Sequence, residues 1–176
     1  MVVVLSRSRS AEHEVFLEHC AADRVPVVVR PSGGGAVLLA PGVVTASAVL
    51  RPRSPERFPE ALFRRLGSVV AGALAACGVD GVTMRGVSDL CLGDRKVVGS
   101  SLRLWADRAL YQASVLVALE VDLLGRYLRM PTRAPSYRAG RDHRQFVTTL
   151  AAAGHAVAAR TVAESLRRAF ATGELT

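Results

Sequence analysis

Apolar positions along the chain come in short β-branched runs before residue 50, a long helical stripe near residue 60, and short runs again beyond residue 80. Residues 2–5 and 25–30 are dense in valine and predict strands. Residues 12–22 predict a weak helix between them. Residues 36–39 and 43–50 continue as strands, separated by the turn Pro41-Gly42. Residues 51–59, with three prolines, predict a surface connection. The clearest helix runs over 59–77. Leu62, Leu66, Val69, Val70 and Leu74 recur at three- and four-residue spacing, with Glu60, Arg64 and Arg65 off that stripe and Gly78 placed as a C-terminal cap. Strands follow over 82–85, 89–92, 96–98, 101–105 and 110–120. One or two helical turns are expected over 122–127, a basic loop over 130–142, and closing helices over 143–153 and 156–171. No repeat, low-complexity tail or interdomain linker interrupts this order. It predicts an α/β (α+β) fold, a mixed and largely antiparallel sheet flanked by helices, in one domain over 1–176.

Composition sharpens the outline. Half of the 176 residues are hydrophobic but only 5% are aromatic, so Val, Leu and Ala must fill the core. No apolar run reaches the ~20 residues a membrane span needs. Residues 1–5 break at once into Ser6-Arg7-Ser8-Arg9, which is neither a signal peptide nor an anchor. Three cysteines without a CxxC pair argue against a disulfide scaffold or a zinc site, and a reduced, cytoplasmic protein is expected. The net charge of +8 favours an acidic partner. Of the 23 basic residues, Lys96 is the single lysine. Arginine does not replace lysine where a site needs a compact charge on a slim stem, although a leftover lysine in an arginine-biased chain has the same count.

Two clusters carry candidate chemistry. Ser32-Gly33-Gly34-Gly35-Ala36 joins two strands, whereas a phosphate loop of the Walker or dinucleotide type would open a helix. Three glycines let backbone lie flush against a ligand and turn N–H groups toward an anion, with Arg30 and Ser32 beside them; a plain hairpin turn is the alternative. Gly93-Asp94-Arg95-Lys96-Val97-Val98-Gly99-Ser100-Ser101 places Lys96 at the start of an apolar strand, with Gly99 and Ser100 removing bulk nearby. An ammonium there suits a carboxylate, an acyl phosphate or a nucleotide phosphate; an exposed hairpin lysine is the alternative.

Taken in order, Arg30-Pro31-Ser32-Gly33-Gly34-Gly35-Ala36-Val37, then Ser88-Asp89-Leu90, then Asp94-Arg95-Lys96-Val97-Val98-Gly99-Ser100-Ser101 resemble the lipoate–protein ligase family. That family carries Arg-Arg-x-Ser-Gly-Gly-Gly-Ala-Val, then Asn-Asp, then Gly-Arg-Lys-x-x-Gly-Ser-Ala. Tyr111-Gln112 stands where the family has His-His, and Val147-Thr148-Thr149-Leu150 where it has Val-Thr-Asn-Leu. Val29 replaces the first Arg of the pair, Leu39-Ala40 replace a His-Asp, and Ser88 replaces the Asn. The resemblance also implies a chain without the family's usual first helix and strand and without an accessory C-terminal domain, a shortening that favours a homodimer.

The resemblance implies a fold shared with biotin–protein ligases and, distantly, class II aminoacyl-tRNA synthetases. It implies that lipoate, or octanoate, is activated by ATP with Mg to an acyl-adenylate and passed to a lysine of an acidic lipoyl carrier domain. Lys96 would neutralise the acyl–phosphate junction. Arg30, Ser32, Gly33 and Gly34 would border it, and Gly35, Ala36, Val37 and Leu38 would run along the adenylate. Ser88, Gly99 and Ser100 would complete the nucleotide site, and Asp89 would place Mg or phosphate. Arg133, Arg138, Arg141 and Arg144 would meet the carrier, or form a solvated surface. A non-catalytic relative that binds an acyl group or lipoyl domain is the second reading. An octanoyltransferase is disfavoured, because no cysteine follows Cys91. A nucleic-acid module is disfavoured by scattered arginines without interleaved aromatics.

Overall fold

The computed structural model describes residues 1–52 and 58–171. The prolines of the expected connection at 51–59 therefore lie partly outside the described residues.

Two sheets organise the chain. The first has three strands, in the order β2-β1-β3: β1 (Val2–Ser6), β2 (Val27–Arg30) and β3 (Val37–Leu39). β1 runs parallel to β2 and antiparallel to β3. The second sheet is antiparallel throughout, in the order β4-β8-β7-β6-β5: β4 (Val43–Leu50), β5 (Val82–Arg85), β6 (Asp89–Leu92), β7 (Arg95–Leu104) and β8 (Ala109–Leu116).

The helices are α1 (Ala11–Glu14), α2 (Leu17–Ala22), α3 (Pro59–Ala75), α4 (Asp122–Tyr127), α5 (His143–Phe146) and α6 (Ala159–Ala171), with a 3-10 turn at Ser136–Arg138. α3 and α6 cover one face of the five-stranded sheet. The stripe read from sequence is the buried one: Leu62, Leu66, Val70 and Leu74 lose all exposure against Val98, Tyr111 and Val115. Burying each such leucine contributes about 1.5–3 kcal/mol. Ser165 of α6 closes the helix pair by donating to the Ala73 carbonyl at 2.8 Å.

β8 alternates strictly. Ala109, Tyr111, Ala113 and Val115 enter the core under the helices, while Gln112 and Ser114 face the other way. That second face is small and polar, and it lies opposite a second apolar cluster built from β1, β3, α2, α4 and α5. The groove between the sheet face and this cluster is the space discussed below.

Three expectations change. The weak helix over 12–22 is two helices, because Val15 is extended and bridges Leu128 while the Phe16 N–H donates to the Tyr127 carbonyl at 2.9 Å. The strands expected at 96–98 and 101–105 are one strand, whose ladder with β8 runs unbroken from Val98 to Leu104 through Gly99 and Ser100. The helix expected over 143–153 stops at Phe146. There Val147 turns extended beside Lys96, and the N–H groups of Thr148, Leu150 and Ala151 donate to the Lys96, Leu116 and Val117 carbonyls. Hydrogen bonds to segments distant in sequence outweigh the helix propensity of the alanines.

Candidate functional site

The groove is a cleft of about 460 Å³. Its apolar wall comes from Val4, Leu38, Leu116, Leu124, Leu128 and Phe146. Its charged lining is six basic side chains, Arg9, Arg30, Lys96, Arg129, Arg133 and Arg138, against two carboxylates, Glu14 and Asp89. An elongated ligand with an apolar body and an anionic head fits that division.

The glycine turn forms one lip. Gly33 N–H donates to the Leu102 carbonyl of β7 at 3.3 Å, which seats the turn on the sheet. Arg30 fills the turn from inside. Its guanidinium donates to the carbonyls of Val4 (3.1 Å), Gly33 (2.7 Å) and Gly35 (2.8 Å) and to Ser32 Oγ (3.0 Å). Gly34 has φ +99, and a Cβ there would lie 3.0 Å from Arg30 Nη2. Burial lowers the pKa of the Arg30 guanidinium from its usual value, with the Glu14 charge opposing that shift. Arg30 thus shapes the lip with most of its hydrogen-bonding capacity.

Ser32 and Gly33 sit behind the lip and do not line the cleft. Ser32 is buried and donates to Gln112 Oε1 at 2.6 Å, and its oxygen lies 3.0 Å from the Ser101 hydroxyl. Gly34, Gly35, Ala36, Val37 and Leu38 all line it.

Lys96 forms the other lip through a β-bulge. Leu90 pairs with Val98 but Cys91 pairs with Lys96, so Val97 is the extra residue. Val97 and Val98, adjacent in sequence, both enter the core under α3. The slip turns Lys96 onto the same face as Gly99, where a regular pleat would put them on opposite faces. The ammonium lies over Gly99: a Cβ at that position would be 3.1 Å from both Cε and Nζ. Lys96 Nζ is 2.6 Å from Asp89 Oδ1, and Tyr137 donates to Asp89 Oδ2 at 2.8 Å. Ser88 and Ser100 line the cleft nearby, joined by a bond from the Ser100 hydroxyl to the Ser88 carbonyl at 2.6 Å.

The arginines expected to meet a partner have different fates. Arg138 is buried, stacked 4.7 Å from the Phe146 centroid and donating to the Arg141 carbonyl. Arg141 and Arg144 are committed to Asp94 and Asp122. Arg133 is exposed.

Two participants carried no sequence signal. Glu14 is buried and accepts the Ala36 N–H at 2.9 Å, bracing the far end of the glycine turn. Tyr137 lay in what reads as a basic loop. His143, whose pKa burial lowers, also lines the cleft.

Cys91 is buried, and burial pushes its thiol up from the usual value. Both Asp89 oxygens already accept one bond, and no group of three or more His, Cys, Asp or Glu that could hold a metal occurs among the described residues. No helix among them is long and apolar enough to cross a membrane.

A family profile, the lipoyl protein ligase A/B catalytic domain, matches residues 1–171. This chain belongs to that family. It is 32% identical over 126 residues to lipoate-protein ligase A of Psychrobacter cryohalolentis, covering 72% of this chain and 35% of that one. It is 25% identical over 138 residues to lipoate-protein ligase A subunit 1 of Thermoplasma acidophilum, covering 73% and 52%. The matched stretch thus covers about a third to a half of these relatives' own lengths. Among solved structures, it is similar to the bi-partite lipoate protein ligase of T. acidophilum, described with its E2 lipoyl domain (TM-score 0.81, 24% identity, 96% of this chain and 66% of that one). It is also similar to a lipoate-protein ligase A bound with ATP (TM-score 0.79, 24% identity, 96% and 67%). At that identity the likeness establishes the fold.

Proposed function

We propose that this chain activates lipoate, or a related acyl acid such as octanoate, with ATP and transfers the acyl group to a lysine of an acidic lipoyl carrier domain. The observation that carries this reading is that the one lysine and the glycine turn line the same cleft, whose opposite wall is apolar. The acyl chain lies along Leu38, Leu116, Leu124 and Leu128. The backbone from Gly35 to Leu38 follows the adenylate.

In the first half-reaction a carboxylate oxygen attacks the α-phosphorus, and the bond to pyrophosphate breaks. Negative charge concentrates at the new acyl–phosphate junction, where the Lys96 ammonium stabilises it without forming a covalent bond. In the second, the carrier amine attacks the acyl carbon, AMP departs with the bonding electron pair, and the amine gives up its proton. Arg30 acts by holding the lip, and Asp89 by holding Lys96. Magnesium would arrive on the nucleotide phosphates.

Two findings bear on the other readings. The raised pKa of Cys91 keeps its thiol protonated and argues against a cysteine-dependent octanoyltransferase. Leu39 lines the cleft and offers no polar group to a nucleotide, which favours binding without turnover as the second reading.

The test is lipoate-dependent pyrophosphate release with ATP and magnesium, alongside calorimetry. Wild type releases pyrophosphate, and Lys96→Ala loses about 10²–10³-fold, the size expected when one charge-stabilising group is removed. Lipoate binding without release would select the second reading. Neither release nor binding with lipoate, octanoate or a lipoyl domain would overturn both.

A further inference from the structure

Lys96 sits on a stem with four rotatable bonds, and its ion-pair partner Asp89 can rotate about its own side chain. What stops both from swinging is on a different segment. Tyr137, in the 3-10 turn Ser136–Arg138, donates to Asp89 Oδ2 at 2.8 Å while Asp89 Oδ1 stands 2.6 Å from Lys96 Nζ. The two carboxylate oxygens are thus held from opposite sides.

The tyrosine ring is itself confined. Its centroid is 5.2 Å from that of Phe146, and the Arg85 guanidinium carbon stands 5.1 Å from it. Gly86 leaves just enough room: a Cβ there would be 3.3 Å from Tyr137 Cε1. Cys91 Sγ lies 3.6 Å from the hydroxyl. A ring packed on these sides holds its O–H toward Asp89.

We infer that Tyr137 is a positioning residue for Lys96, fixing the Asp89 carboxylate that in turn fixes the ammonium over Gly99. The inference rests on the proposed ligase reading for its catalytic consequence and on geometry alone for its structural one. Burial and the Asp89 charge raise the Tyr137 pKa, which keeps it a donor through the neutral range. Arg85, on β5, and Arg138, on the same turn as Tyr137, also stand near this group, as does Cys91, on β6.

The single lysine makes the test direct, because lysine labelled with ¹⁵N and ¹³C gives one side-chain signal. Tyr137→Phe keeps the ring and removes the hydroxyl. The expected result is a Lys96 signal shifted toward that of free lysine. Asp89→Asn moves the signal the same way and so assigns the shift to the carboxylate. In the pyrophosphate assay Tyr137→Phe lowers kcat about 10- to 100-fold with KM little changed, the size typical of losing an orienting partner. A lysine signal unchanged from wild type would overturn the inference, as would a normal kcat. Absence of release by the wild type refutes the ligase reading instead and leaves the resonance test to decide the positioning role.

Discussion

Gly99 and Gly34 show what single atoms decide at this cleft. A methyl at Gly99 meets the end of the Lys96 side chain at 3.1 Å and Ser114 Oγ at an ordinary 3.8 Å, so the strand accommodates it and the ammonium must move. Gly99→Ala is therefore expected to leave stability within about 1 kcal/mol of wild type, since alanine suits a strand better than glycine does. Pyrophosphate release should fall at least tenfold; urea denaturation and the release assay measure the two separately. Gly34→Ala does the reverse. Its φ of +99 and the 3.0 Å approach to Arg30 Nη2 put strain in the backbone itself. A loss of about 1–3 kcal/mol in urea denaturation is expected.

Among the elements, α3 carries the core and a smaller contact ties α2 to α4. Leu66 of α3 is fully buried among the sheet side chains, and Leu66→Ala should cost about 2–5 kcal/mol by denaturation. Asp23, just after α2, accepts from Arg126 at 2.6 and 2.9 Å and from Tyr127 at 2.8 Å, all from α4. These bonds, that to Arg126 first, bring its carboxyl down to about 2. The folded-state value lies below the unfolded value of about 3.9, so the stabilisation is complete above pH 4 and is lost as pH falls toward 2. Asp23→Asn should flatten the stability-versus-pH curve in that window and lower stability at pH 7, as read by denaturation at stepped pH. An unchanged slope between pH 4 and 2 would count against the tether.

At the level of the whole molecule the charge of +8 has a local expression, since Arg9, Arg129 and Arg133 line the cleft together with Lys96. If the acyl acceptor is an acidic carrier domain, encounter is steered by this field. Raising salt from about 0.1 M to 1 M shortens the screening length from roughly 10 Å to 3 Å. Acyl transfer to the carrier should then slow steeply, while pyrophosphate release from small substrates changes less. Equal salt dependence of the two steps would argue against steering by the cationic rim.

Local chemistry was enough to determine much of this protein. Valine runs made strands, the stripe from Leu62 to Leu74 made a buried helix face, and the triple glycine made a turn, because each depends on neighbours close in the chain. The ordered motifs around Gly34 and Lys96 also marked one cleft lip each. Long-range packing decided the rest. The bulge at Val97 chose the face that Lys96 presents, and a hydrogen-bond ladder ended α5 at Phe146. Arg138 is buried by its stacking on Phe146, while Glu14 and Tyr137 reach the site from segments 22 and 48 residues away from the groups they bind. Periodicity records which residues face inward. It does not record what they meet there, and that meeting is what assembles this site.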